Sequence, residues 1–378
     1  MPKLEINIKK SGFICGGDGV EYHTWPSLLK LRNGDILCCT RYGTEKCSAD
    51  GRLRLYRSGD GGKTWSEGES PAYRESLEQP EYEYRCCGLS ATSDNEITAT
   101  YLRFLHGSDG AELFSSEDDG MLFPETRITK SFDNGYSWDK PRAFELSIDG
   151  YSGVVVPDDG CSVLIGGELA LPVETWRLAG KPFEPGETQH SRIFFSSDGG
   201  YTWPQSVINA NDPSGLICYY DQRMCGFPDG RLMSLFWTHK YNERTDMPVH
   251  MSVSDERGRN WSPVTETNLS GQISCPIYLV ENTFLAIYNC RSVNLGQGVK
   301  AVISYDGGVT WDTKNEKTLW SPKTGSPSND GNLTYEDIAL FWFGHPGIIR
   351  LGVNTYLVGF YCGDGKSAGV MTVHIEVL

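Results

Sequence analysis

The chain has 378 residues, with 49 Asp and Glu against 34 Lys and Arg, a net charge of −15. That balance argues against a nucleic-acid partner, since phosphates are held by a basic face, and no apolar run is long enough to span a membrane. Glycine (43 residues) and aromatics (12%) are plentiful, which fits an all-β protein of short, turn-rich strands.

Residues 1–6 lack the apolar segment of a secretory signal, so a cytoplasmic protein with reduced thiols is expected. Residues 4–10 read as a strand. A hairpin follows, made of residues 25–31, the turn Asn33-Gly34-Asp35 and residues 36–40. Residues 53–57 then run into Ser58-Gly59-Asp60-Gly61-Gly62-Lys63-Thr64-Trp65. Similar hairpins cover 90–101, 153–172, 224–237, 276–288 and 346–360. The octapeptide Ser-x-Asp-x-Gly-x-(Thr/Ser)-Trp returns with Trp138, Trp203 and Trp311 as its last residues. A decayed copy ends at Trp261 and carries Glu256 at the position where the others have Asp. These tryptophans fall roughly 50 to 75 residues apart, the spacing of a four-stranded unit repeated around an axis.

Six hairpins and five octapeptides predict one domain, residues 1–378, folded as a six-bladed β-propeller whose ring is closed by the strand at 4–10. The long polar loops 107–125 and 177–190 are expected to form a rim or lid over its centre. Among the 12 cysteines, Cys38-Cys39 and Cys86-Cys87 sit in strand-like runs and read as small buried residues. Within each octapeptide the Asp carboxylate can accept backbone N–H groups, the glycine can take a positive φ, and the indole can cover the hairpin. The phrase therefore reads as a structural pin.

This repeat is the Asp-box, and the chain resembles the sialidase (neuraminidase) superfamily along nearly its whole length. The resemblance implies a site in the central funnel, with three arginines on a substrate carboxylate, an aspartate as acid/base and a tyrosine nucleophile activated by a glutamate. The family's Arg-Ile-Pro-Ser-Leu matches Thr24-Trp25-Pro26-Ser27-Leu28, so Thr24 replaces the first arginine. Asp50 falls where the acid/base aspartate is expected, with Arg41 ahead of it. Tyr220-Asp221 falls on the family's Asn-Glu, with Arg223 beside it; Arg291 is matched as an anion ligand and Tyr335 as nucleophile by chain order.

Read from the residues alone, Asp50 is either an acid or a turn residue, and Asp221 with Arg223 is either catalytic or a buried ion pair. His23, Trp25, Arg85, Trp237 and His345 fall at strand ends that face the funnel of a propeller, as do Glu174 and Trp176. Aromatic faces that stack on sugar rings and guanidiniums that pair with carboxylates suit a carbohydrate ligand. The expectation is an exo-acting glycoside hydrolase for an acidic or modified sugar, needing no cofactor or metal. Two alternatives stand beside it: a uronate lyase using Tyr22 or His23 with His345, and a carbohydrate-binding propeller without chemistry.

Overall fold

The computed structural model describes residues 3–17, 19–106, 113–115, 120–144, 146–148, 151–157, 160, 162–164, 166–181, 187–241, 243, 245–323, 325–330 and 340–378. Strands dominate, arranged in a propeller-like way; the described residues also include a six-residue α-helix at Tyr73–Glu78 and a short 3-10 turn at Thr313–Asn315. Among the described residues the strands form five hydrogen-bonded sheets where six blades are predicted. Four of these have the four or five strands of a blade. The fifth has eight, because Tyr22–Lys30 meets Ala368–Val377 through one parallel pairing, Tyr22 with Ala368. The first strand, Ile6–Cys15, runs antiparallel to Ala368–Val377, from Ile6 opposite Val377 to Cys15 opposite Val370.

The cores lie between neighbouring sheets, and the strand Thr283–Cys290 shows why. Every residue in it is buried. Phe284, Ala286 and Tyr288 pack towards Met233, Leu235 and Met251 of the preceding sheet. Leu285 and Ile287 pack towards Phe343, Val358 and Phe360 of the following one. A strand covered on both faces shows a continuous apolar run where a half-exposed one alternates.

The octapeptides fold as the residues suggest. In the third, the Asp198 carboxylate accepts the amides of Tyr201 and Thr202 (2.9 Å each) and the hydroxyls of Ser196 (2.7 Å) and Thr202 (2.6 Å). The amide of Gly200 in turn donates to Ser196 Oγ at 2.8 Å. The equivalent Gly308 has φ +91° and would place a Cβ 2.4 Å from Met233 Sδ, so both conformation and space require glycine. The indoles differ from expectation. Trp138 and Trp311 are buried, whereas Trp65, Trp203 and Trp261 are half-exposed.

Partial burial works to raise the Asp198 carboxyl, and the hydrogen bonds from Thr202, Ser196 and Tyr201 outweigh it, holding the group below the usual carboxylate range. Asp133 and Asp306 are lowered by the same balance, and Asp60 chiefly by the Thr64 amide. A carboxyl lowered by folding stabilises above its unfolded value, and that contribution fades as pH falls below about 4. Melting temperatures recorded from pH 5 to pH 2 are expected to drop, and Asp198→Asn to shallow the drop below about pH 4.

Candidate functional site

Four inner strands share one irregularity. In Tyr22–Lys30, Tyr82–Ala91, Ile217–Gly226 and Phe343–Arg350, two residues oppose one on the neighbouring strand. The first residue of each bulge takes a left-handed conformation: Trp25 (φ +49°), Cys86 (+53°), Asp221 (+47°) and His345 (+48°). None is glycine, so each carries strain on the order of 1–3 kcal/mol. All four line one cavity of 1080 Å³. The repeated bulge is the device that turns side chains out of the sheets and into the centre.

The cavity floor is cationic despite the acidic chain. Arg85 stacks on Trp25 at 4.1 Å and donates from Nη2 to Cys47 Sγ at 3.5 Å. Lys46 is buried, donates to the Phe341 carbonyl at 3.2 Å, and lies 5.1 Å from the Tyr361 ring. Arg291 stacks on Phe341 at 4.1 Å and donates from Nη1 to Gln272 Oε1 at 2.5 Å. Burial, with the fields of Arg291 and Arg85 added, pushes the Lys46 amine well below its ordinary value. Among the described residues, buried Nη1 of Arg85 and Nε of Arg291 have no hydrogen-bond partner. Two such groups at one cavity mark it as a place for an anion.

Asp221 brings a carboxylate into the same space. Its Oδ2 accepts from Gln272 Nε2 at 2.8 Å, so Gln272 links it to Arg291. Glu174 fixes the bulge: one oxygen accepts the Asp221 amide at 2.7 Å, the other the Trp176 indole at 2.7 Å. Beside them an aromatic wall runs from Phe114 to Trp176 (5.2 Å), then Tyr220 (4.1 Å, stacked) and Trp237 (5.9 Å). Trp237 is held by Asp246 Oδ1 at 2.9 Å. From the loop 107–125, Leu113, Phe114 and Met121 line the cavity; the Met121 amide donates to the Arg177 carbonyl at 2.8 Å and the Ala179 amide to the Met121 carbonyl at 2.9 Å.

His345 separates this cavity from a smaller one of 180 Å³ that Arg223 lines. Burial, then the positive charges of Arg223, Lys46 and Arg291, lower the His345 imidazole well below its usual range, so it is a neutral base at neutral pH. Tyr361 is pushed up to about 12 by burial and stays a phenol. Among the described residues, no group of three or more His, Cys, Asp or Glu is placed to hold a metal ion.

Several expected site residues stand elsewhere. Arg41 is fully buried and bonds Glu83 Oε1 (2.8 Å), the Glu45 carbonyl (2.8 Å) and the Ser48 carbonyl (2.6 Å). It is the peg around which the loop 44–51 is wound, and it does not line the cavity. Asp50 is exposed and accepts from the Thr44 amide and hydroxyl at 3.2 Å. Burial would raise its carboxyl, but bonds from Ser48 and Thr44 win and lower it, which keeps it ionised and occupied in the turn. It, too, is absent from the cavity lining. Arg223 lies 3.9 Å from Asp221 and faces the smaller cavity. His23 meets Cys15 Sγ (3.4 Å) and Glu21 Oε2 (3.1 Å), away from the cavity. Tyr335 lies outside the described residues. The cavity does gather Trp25, Arg85, Asp221, Trp237, Arg291 and His345. Lys46, Gln272 and Cys86 were not singled out for it; the only local signal was Lys46 between Glu45 and Cys47 in a polar loop.

An Asp50→Asn substitution is therefore expected to cost about 1 kcal/mol in urea unfolding, through weaker bonds to Thr44, and to leave ligand affinity within twofold or so.

No family model matches the chain, and no curated protein does either. Solved structures do. A protein of unknown function from Dyadobacter fermentans superposes with a TM-score of 0.75 at 18% identity, covering 100% of both chains. The intramolecular trans-sialidase from Ruminococcus gnavus gives 0.64 at 13% identity, over 97% of this chain and 96% of its own. The α-L-arabinanase of Penicillium chrysogenum gives 0.58 at 16% identity, over 97% and 98%. At these identities the likeness concerns the fold, and the fold is that of sialidase-like β-propellers.

Proposed function

We propose that this protein is an exo-acting glycoside hydrolase of sialidase-like type, acting on a sugar with an acidic group. The observation that carries this is Asp221, a carboxylate turned by its bulge into a cavity with Arg85, Lys46 and Arg291 in its lining. Arg85 and Arg291 hold the acidic substituent, and their two guanidinium N–H groups without partners among the described residues supply its hydrogen bonds, with Lys46 beside them. Trp176, Tyr220 and Trp237 receive the apolar face of the sugar ring. Asp221, oriented by Gln272, gives a proton to the departing oxygen and recovers one from the incoming water. Tyr335 is the attacking phenol that the sialidase resemblance implies. A carboxylate base takes its proton as the phenol oxygen bonds the anomeric carbon and the glycosidic bond breaks, and water then displaces the phenol. In the same proposal the eight-stranded sheet counts as two of six blades, with Ile6–Cys15 as the outer strand that closes the ring.

A second reaction is favoured by one observation. His345 is a neutral imidazole on the same floor, suited to taking a proton beside a carboxylate that the cations neutralise, as a uronate lyase requires. The test is turnover of a panel of acidic and neutral glycosides, analysed by product mass. A product that gains water supports the hydrolase. An unsaturated product absorbing in the ultraviolet replaces it with the lyase, and glycan retention without turnover replaces both with a binding propeller.

A further inference from the structure

Cys47 occupies an unusual place in the cavity. It sits on the loop 44–51 between two carbonyls, Glu45 and Ser48, that Arg41 holds at 2.8 and 2.6 Å, so its position is fixed by a buried peg. The residue is half-buried and lines the cavity, and its sulfur accepts from Arg85 Nη2 at 3.5 Å. Lys46 is its neighbour in sequence and lines the same floor. A second observation concerns Arg85. Arg85 is 2% exposed, and among the described residues its Nη1 makes no hydrogen bond, its ion-pair partner Glu83 standing 3.6 Å away. Reactive thiols occur in electropositive, partly open surroundings of this kind.

We propose that Cys47 is an oxidisable control site, at which a hydroperoxide entering the cavity converts the thiol to a sulfenic acid whose oxygen Arg85 holds. The sulfur attacks one peroxide oxygen and an S–O bond forms as the O–O bond breaks. Sulfur gives up two electrons, and the second oxygen leaves as water or an alcohol with the proton the thiol releases. The new oxygen accepts from Nη1 of Arg85, the group that lacks a partner. A thiol reductant reverses the change. Other thiols are poorly suited. Burial pushes Cys86 up to about 11, against the lowering effect of Arg85, and raises Cys38 and Cys225 well above the ordinary value.

Oxidation occupies Arg85, so it also weakens binding of an acidic sugar; that consequence alone rests on the proposed function. The experiment treats the full chain with hydrogen peroxide and dimedone, then maps adducts by peptide mass spectrometry. The adduct is expected on the Cys47 peptide about tenfold above the Cys86–Cys87 peptide. It should vanish in Cys47→Ser, persist in Cys86→Ser, and form several-fold more slowly in Arg85→Gln with an unchanged circular dichroism spectrum. The proposal is overturned by labelling spread across the cysteines, by an unlabelled Cys47 when free cysteine reacts in the same tube, or by equal rates in Arg85→Gln. Labelling is read without turnover, so a failure of the hydrolase proposal leaves it standing.

Discussion

Asp221→Asn is expected to lower turnover of the preferred glycoside about a thousandfold while leaving the melting temperature nearly unchanged. The substitution is well suited to the position. Asn tolerates the left-handed conformation that Asp221 adopts at φ +47°, so the bulge survives. Its carboxamide oxygen still accepts from Gln272, and its amide still donates to Glu174. What is removed is the ability to carry a proton. Steady-state kinetics check this, with the loss falling on kcat and little change in KM. Unchanged kcat in the variant would sink the role given to Asp221 and leave His345 as the group to mutate next.

Arg41→Met is expected to destabilise the protein by about 3–5 kcal/mol in urea unfolding. Both Arg41 and Glu83 are fully buried, and Nε of one meets Oε1 of the other at 2.8 Å. Removing the guanidinium strands part of a buried negative charge and frees the carbonyls of Glu45 and Ser48. His106 Nε2 at 2.9 Å and Arg85 at 3.6 Å still face Glu83, which places the effect at the lower end of that range. Adding Glu83→Gln removes the stranded carboxylate but leaves the buried Arg85, 3.6 Å from it, without its counter-charge, so only a small part of the loss should return. A change below about 0.5 kcal/mol would mean that the pair contributes nothing net.

The buried His345 and the exposed octapeptide carboxylates set an order for acid unfolding. His345 is neutral in the fold and becomes protonated more readily once unfolded, so its stabilising contribution begins to fade below about pH 6.5. The octapeptide carboxylates follow only below about pH 4.

Hairpins and octapeptides were legible because each is a local event: an Asn-Gly turn, a carboxylate reaching amides three and four residues ahead, an indole over a turn. The count of sheets was not, since it hinges on one pairing between Tyr22 and Ala368, residues from opposite ends of the chain. At the site, Trp25 and Asp221 were found by their places near strand ends. Their left-handed conformation had no glycine to announce it, and Cys86 in the same conformation looked like a small core residue. Arg41 and Asp50 were misplaced for a plain reason: spacing puts both near the funnel, and only the partners decide the outcome. Glu83, 42 residues away, claims Arg41, and Thr44 claims Asp50. Lys46 stayed hidden because a lysine in a polar loop normally faces water, and nothing local says that aromatic rings from residues 341 and 361 cover it.

The four strained positions have an evolutionary side. Tryptophan, cysteine, aspartate and histidine occupy equivalent sockets, each with φ within a few degrees of +50°. The backbone cost there is smallest for Asp and Asn and largest for β-branched side chains, yet all four sockets bear it. A mutation at one socket can thus exchange an aromatic platform for an acid or a base without rebuilding the scaffold. Descendants of one ancestral ring could acquire different chemistries by single codon changes at four addresses, while the cores between sheets stay under unaltered selection.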